Sequence, residues 1–144
     1  MMKITNKDIM VGNIFLSVAN TLEYEHIIVT EIFDSYCKYN CRVRTYGSLS
    51  MLSSSCYYDV LRPIEISDKL LMGLCQFREN SKGMYYLEGE DFYLQYDKKE
   101  KCWYVLLCSD SISGIFNKIS KINYIHQIQN MMYLLFGKHF EIYL

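Results

Sequence analysis

The sequence is poor in the features that announce a chemistry. It has no Gly-rich phosphate loop, no metalloprotease pair of histidines and no nucleophile elbow, so phosphoryl transfer on a P-loop, zinc proteolysis and α/β-hydrolase chemistry have no motif to stand on. Excess charge is also lacking: fifteen basic residues stand against sixteen acidic ones, for a net charge of −1, and no basic run exceeds two residues. Strong nonspecific binding to nucleic acid draws on clustered Lys and Arg, so only a local patch is left for that role. No apolar stretch reaches the roughly 18 residues needed to cross a bilayer. The opening MMKITNKD is polar by its third residue, so a signal peptide is not expected and the expected location is the cytoplasm. In that compartment the six cysteines, at 37, 41, 56, 75, 102 and 108, are expected as reduced thiols.

What the chain does have is apolar and aromatic content. With 144 residues, 51% of them hydrophobic, it can close a core without disulfide or metal, and one compact unit, 1–144, is expected. Fourteen Tyr, seven Phe and one Trp favour strands and interfaces.

The clearest helix is Lys121–Phe136, closed by Gly137 and followed by a short final strand over Lys138–Leu144. Ile125, Ile128, Met132 and Leu135 form its apolar seam, widened by Met131 and Leu134, and Asn123 is the expected N-cap. His126, Gln127, Gln129 and Asn130 form a polar cluster on the other side. Earlier, strands are expected over Asn13–Val18, His26–Phe33, Tyr36–Thr45 and Cys56–Ile64, with a turn at Ala19–Tyr24 and a mobile loop at the serine-rich Gly47–Ser55. The single proline, Pro63, suits the edge or exit of the last of these strands. A helix over Asp68–Phe77, capped by Ser67 and weakened by Gly73, leads to strands at Met84–Glu88, Asp91–Asp97, Lys101–Cys108 and Ile115–Ile119, with a loop at Ser109–Gly114. The fold class is α+β. Residues 1–64 form a mostly β half, a bent antiparallel sheet or small barrel of the SH3-like kind, and 65–144 an α-β-β-β-α half with antiparallel hairpins.

Three stretches carry a resemblance. Asp8–Ile14 (DIMVGNI), Arg62–Phe77 (RPIEISDKLLMGLCQF) and Lys121–Gly137 (KINYIHQIQNMMYLLFG) resemble, in that order, a family of small uncharacterised proteins from gut Bacteroides-type bacteria and their phages. Its members look like L-R-I-G-N-Y near the start, P-I-P-L-T-E-E-W-L-L-K-F-G-F in the middle and V-H-Q-L-Q-N-L-Y-F-A-L-T-G at the end. The matches cover under a third of the chain, which departs from the pattern at Lys69–Leu70 and Gly73–Leu74. The resemblance implies a bacterial or phage cytoplasmic protein carried on a mobile element, and brings no activity with it.

Candidate contact residues for a protein or small ligand are His126, Gln127 and Asn130 on the helix and the tyrosines Tyr57, Tyr58, Tyr86 and Tyr93 on the strands. The competing reading is that the helix residues satisfy nearby backbone groups and the tyrosines pack across the sheet. A zinc site built on Cys37, Cys41, Cys56 and His26 fails on spacing, because residues four apart on one strand stand about 13 Å from each other. No metal or cofactor is therefore expected. Glu88, Glu90 and Asp91 are read as a solvated turn. The function expected is a non-enzymatic binding module, with homo-oligomerisation a natural arrangement for sequestering a ligand. The alternative is nucleic-acid binding by the N-terminal half through Lys38, Arg42 and Arg44, which alternate along one strand.

Overall fold

Alternating apolar residues become strands where a partner strand covers one face. In the computed structural model, which describes residues 3–17, 26–45, 48–73, 75–110, 114–140 and 142, with 17, 42–45, 48–50, 109 and 110 by backbone alone, that rule builds two antiparallel sheets. The first contains β1 (Ile14–Ser17), β2 (Ile27–Ile32), β3 (Tyr36–Thr45), β4 (Ser48–Tyr57) and β5 (Leu61–Arg62), with a 3-10 turn at Tyr58–Val60 between the last two. Its order is β4-β3-β2-β1-β5, and it curls into a half-barrel. After α1 (Asp68–Gly73), the second sheet contains β6 (Arg78–Glu79), β7 (Tyr85–Tyr86), β8 (Phe92–Asp97), β9 (Cys102–Asp110) and β10 (Ile115–Ile122) in the order β10-β9-β8-β7-β6, and α2 (Ile125–Phe136) follows. The fold is α+β. Among the described residues no helix is long and apolar enough to cross a membrane.

The chain groups into two units. The first comprises 1–64 with 128–140, the second 65–127 with 141–144, so the division falls inside α2. In the first, Ile4, Ile9, Phe15, Ile27, Val29, Cys37, Cys41, Tyr58 and Leu61 form the core. In the second, Phe92, Leu94 and Tyr96 stand directly across from Leu107, Val105 and Trp103, so the two runs make one layer. Tyr85 and Tyr96 both pack on the Trp103 ring, at 5.4 and 5.2 Å between centroids.

The serine-rich segment is a strand, not the loop expected over Gly47–Ser55. Each residue of β4 pairs with one of β3, from Tyr36↔Tyr57 to Thr45↔Ser48, with no bulge. Ser has little strand preference of its own; the backbone bonds offered by β3 override it. The strand expected over Cys56–Ile64 is accordingly split into the end of β4, the 3-10 turn and β5. α1 is shorter than the pattern suggests. It keeps its Ser67 cap, whose Oγ accepts from Leu70 N at 3.3 Å, and stops at Gly73 before Gln76 takes a positive φ of 57°. The expected turn at Ala19–Tyr24 lies outside the described residues, as do 111–113 of the Ser109–Gly114 loop and 141, 143 and 144 of the final strand. Lys138–Phe140 run as irregular chain.

α2 differs from its apolar reading in two ways. Ile125, Ile128 and Met132 are buried as expected, but Leu134 and Leu135 are exposed, and the buried stripe is completed instead by His126 and Gln129. Its start at Ile125 is four residues later than Lys121 because Lys121 and Ile122 continue β10. The cap is also different. Gln127 reaches back so that its Oε1 accepts from Asn123 N at 2.8 Å and Tyr124 N at 3.1 Å, the work expected of Asn123.

Within the first unit, Gln129 fixes α2 to the start of the sheet. Its Oε1 accepts from Ile14 N at 3.0 Å and Asn13 Nδ2 at 3.5 Å, and its Nε2 donates to the carbonyls of Gly12 at 3.0 Å and Phe140 at 3.2 Å. Asn13 is buried too, and its Oδ1 accepts from Met10 N at 2.8 Å. Gln129→Leu keeps the volume but strands the Ile14 N–H and Gly12 C=O, each a loss of roughly 1–3 kcal/mol. Gln127→Ala removes only an exposed cap, about 1 kcal/mol. Urea denaturation is expected to show the midpoint falling two- to fourfold further for Gln129→Leu than for Gln127→Ala.

Candidate functional site

The first unit carries a groove lined by two of the candidate residues, Tyr57 and Tyr58. It begins with the turn between β2 and β3. Phe33 N donates to Tyr36 O at 2.9 Å, and the two rings stack at 4.6 Å with 9° between their planes. Asp34 and Ser35 therefore stand out as the exposed tip. Tyr57 lies opposite Tyr36 at the end of β4, and the 3-10 turn that follows aims Tyr58 the other way. Two adjacent tyrosines thus have opposite fates. Tyr57 is 67% exposed, whereas Tyr58 is buried in the core and its hydroxyl donates to the Phe33 carbonyl.

Residues Lys3–Asn6 form the opposite wall. They are held by a side-chain turn in which Asp8 Oδ2 accepts from Thr5 N at 2.9 Å and Thr5 Oγ1 at 2.6 Å. The resulting cavity has a volume of about 350 Å³ and is lined by Lys3, Ile4, Thr5, Asn6, Asp34, Ser35, Tyr57, Tyr58 and Asp59. Its two carboxylates and one ammonium leave it weakly acidic beside an exposed phenol ring. Burial raises the Tyr58 hydroxyl above its ordinary ionisation range, against the smaller lowering effect of the Phe33 carbonyl. That hydroxyl is thus a structural donor.

The other candidates are distributed differently. Asn130 Nδ2 donates to Asp8 O at 2.9 Å, securing the turn behind the Lys3–Asn6 wall. Gln127 is committed to the helix start, and His126 is fully buried with its ring stacked on Tyr124 at 5.9 Å. The three therefore have separate structural placements and do not converge on an open surface. In the second unit, Tyr86 and Tyr93 sit across from each other with rings 6.1 Å apart, and Tyr93 meets Phe116 edge-on at 4.8 Å. This half-buried aromatic row is cross-strand packing with one open side. Beside it, Lys118 stands 4.1 Å over the Tyr104 ring, and Glu100 joins Lys121 and the Tyr104 hydroxyl at 2.5 Å each.

Lys38 is paired with Glu31 at 3.2 Å and lies over the Phe33 ring, so its charge is compensated. Arg42 and Arg44 occupy the register positions opposite Met51 and Leu49; their side chains lie outside the described residues. Among the described residues, no group of three or more His, Cys, Asp and Glu is placed to hold a metal ion. All six cysteines are free thiols. Cys37 and Cys56 face each other across β3 and β4 with sulfurs 3.9 Å apart, a pairing the sequence reading considered only within a zinc set. The contact depends on the β3–β4 hairpin, which an expected loop over Gly47–Ser55 does not contain.

The contrast between the tyrosines is testable. Tyr58→Phe leaves the Phe33 carbonyl short of its donor and is expected to cost about 1–2 kcal/mol in chemical denaturation. Tyr57→Ala, on an exposed ring, is expected to stay within about 0.5 kcal/mol. No protein-family model matches the chain, and neither a curated protein nor a solved structure matches it, so the geometry of its own residues carries the functional reading.

Proposed function

We propose that this protein is a non-enzymatic binding module whose first unit receives an extended segment of a protein partner along β4. The observation that carries this reading is the condition of that edge. Among the described residues β4 is the last strand of its sheet and pairs on one side only, and it is ten residues long. In an antiparallel ladder every second residue of such a strand turns its N–H and C=O outward. Proteins usually blunt an open edge with a short strand, a bulge, a proline or a charged side chain, Lys above all. Ser48–Tyr57 has no proline and no charge, and its pairing with β3 has no bulge.

The side chains suit the same use. Met51 and Leu52 are 58% and 45% exposed and point to opposite faces, giving an added strand an apolar contact on each side. Ser53, Ser54 and Ser55 are exposed and small, so they leave the backbone accessible. Tyr57 and the groove beyond it continue the track at one end. Strand addition of this kind draws affinity from main-chain bonds and specificity from alternate side chains. The resemblance to proteins of Bacteroides-type bacteria and their phages fits such a module, with a host protein as the segment's owner and sequestration as the outcome.

Selection from a library of random peptides of about twelve residues tests the reading, with amide hydrogen exchange to locate the binders. Binders are expected to slow exchange in β4 and to lose at least tenfold in affinity against Met51→Lys/Leu52→Lys, which supplies the missing edge charges. Binders that protect only other strands, or a library that yields none, overturn it. A dimer in native mass spectrometry that the double variant abolishes would make a second copy of this chain the occupant.

A further inference from the structure

We propose that Cys37 and Cys56 form a peroxide-reactive dithiol, at which a small hydroperoxide is reduced as β3 and β4 become covalently joined. The register places the two residues directly opposite each other in an antiparallel pair. Opposed residues in such a ladder have Cα atoms about 4.5–5.5 Å apart, inside the roughly 4.4–6.8 Å that a disulfide spans. The sulfurs already touch at 3.9 Å, with one S–H directed at the other sulfur. Bond formation needs side-chain rotation and no shift of register. Cys37 is fully buried and Cys56 half-buried, so the pair has one side that a molecule hardly larger than water can approach.

Three of the other four cysteines have different surroundings. Cys41 donates to the Leu52 carbonyl at 3.6 Å, and Cys102 lies 3.8 Å from a Glu100 carboxylate oxygen. Cys75 is buried, and burial pushes its thiol up to about 12, away from the reactive thiolate. In the pair the contact acts in opposite directions, drawing the Cys37 thiol below its ordinary value and, with burial, pushing the Cys56 thiol above it, so Cys37 is the better thiolate of the two.

The chemistry closes with hydrogen peroxide as the oxidant. The first sulfur attacks one peroxide oxygen, the O–O bond breaks, and a sulfenic acid and one water result. The second sulfur then attacks the sulfenic sulfur, and its oxygen leaves as a second water. Two thiols and one peroxide give one disulfide and two waters: the sulfurs lose two electrons, and both thiol protons end in water. Contact between the sulfurs makes the product the same whichever is oxidised first. It also favours ring closure over the further, irreversible oxidation of an isolated sulfenic acid. The bond would close the whole β3–β4 hairpin at its open end.

The test is treatment of the folded wild-type protein with stoichiometric hydrogen peroxide, followed by intact-mass and non-reducing peptide mapping. The expected product is lighter by about 2 Da and reverts with dithiothreitol. Lys38, Arg42 and Arg44 lie between the two cysteines, so trypsin leaves their peptides joined only if the bond is there. Cys56→Ser is expected to gain a single oxygen at Cys37, read in the intact folded protein as a mass increase of about 16 Da that dithiothreitol reverses. If that variant does not fold, the wild-type map still decides, together with a rise in melting temperature on the order of 5–10 °C on oxidation. A crosslink between other cysteines, oxygen adducts without the 37–56 bond, or unreacted Cys37 and Cys56 while other thiols oxidise would overturn the assignment.

Discussion

A single buried amide organises the first unit. Gln129 accepts from Ile14 N and donates to the Gly12 carbonyl, so it pairs two backbone groups at the entry to β1, where Gly12 N and the Asn13 carbonyl already bond Val29 of β2. Buried backbone groups must be paired, and one side chain with an acceptor and two donors does this in one step. Its placement fixes which face of α2 is buried. Ile128 and Met132 flank Gln129 inside, while Leu134 is left 72% exposed. Helical apolar periodicity alone would have buried Leu135 and widened the seam with Leu134; polar satisfaction set the rotation instead.

The two sheets handle their aromatics in different ways. In the second unit, Trp103 collects Tyr85 and Tyr96 on one face while Tyr86, Tyr93 and Phe116 line up on the other, so ring contacts bind neighbouring strands together. In the first, the rings gather at one end of the hairpin. Phe33 and Tyr36 stack over the turn, Tyr58 supports it from the core and Tyr57 stands free of it. The outcome is a firm end beside an uncharged edge strand. That combination is what the proposed strand addition would use.

The dithiol and the edge occupy the same hairpin but rest on different physics. The proposed strand addition would use the outward backbone groups of β4, while the Cys37–Cys56 contact uses an inward side-chain pair at the hairpin's open end. A bond there would hold β4 in its register, and register decides which side chains an added strand meets.

The strongest local patterns in the sequence were reliable. The strict alternation of Tyr36–Thr45 became β3 with the same ends, Ser67 capped α1, and Ile125, Ile128 and Met132 marked the buried line of α2. These features depend on neighbours in the chain, and periodicity and capping residues encode them directly. The candidate site was legible only as a list of tyrosines; whether Tyr57 or Tyr58 faced outward depended on a 3-10 turn that follows the hairpin. Tertiary structure decided the rest. A serine-rich segment became a ten-residue strand because β3 offered it ten partners, and Gln129 went inside because the start of β1 had unmet backbone bonds. Cys37 and Cys56, nineteen residues apart, came into contact through that same pairing. Local sequence determines which conformations a segment favours, but pairing across a sheet is settled by the distant groups that need each other.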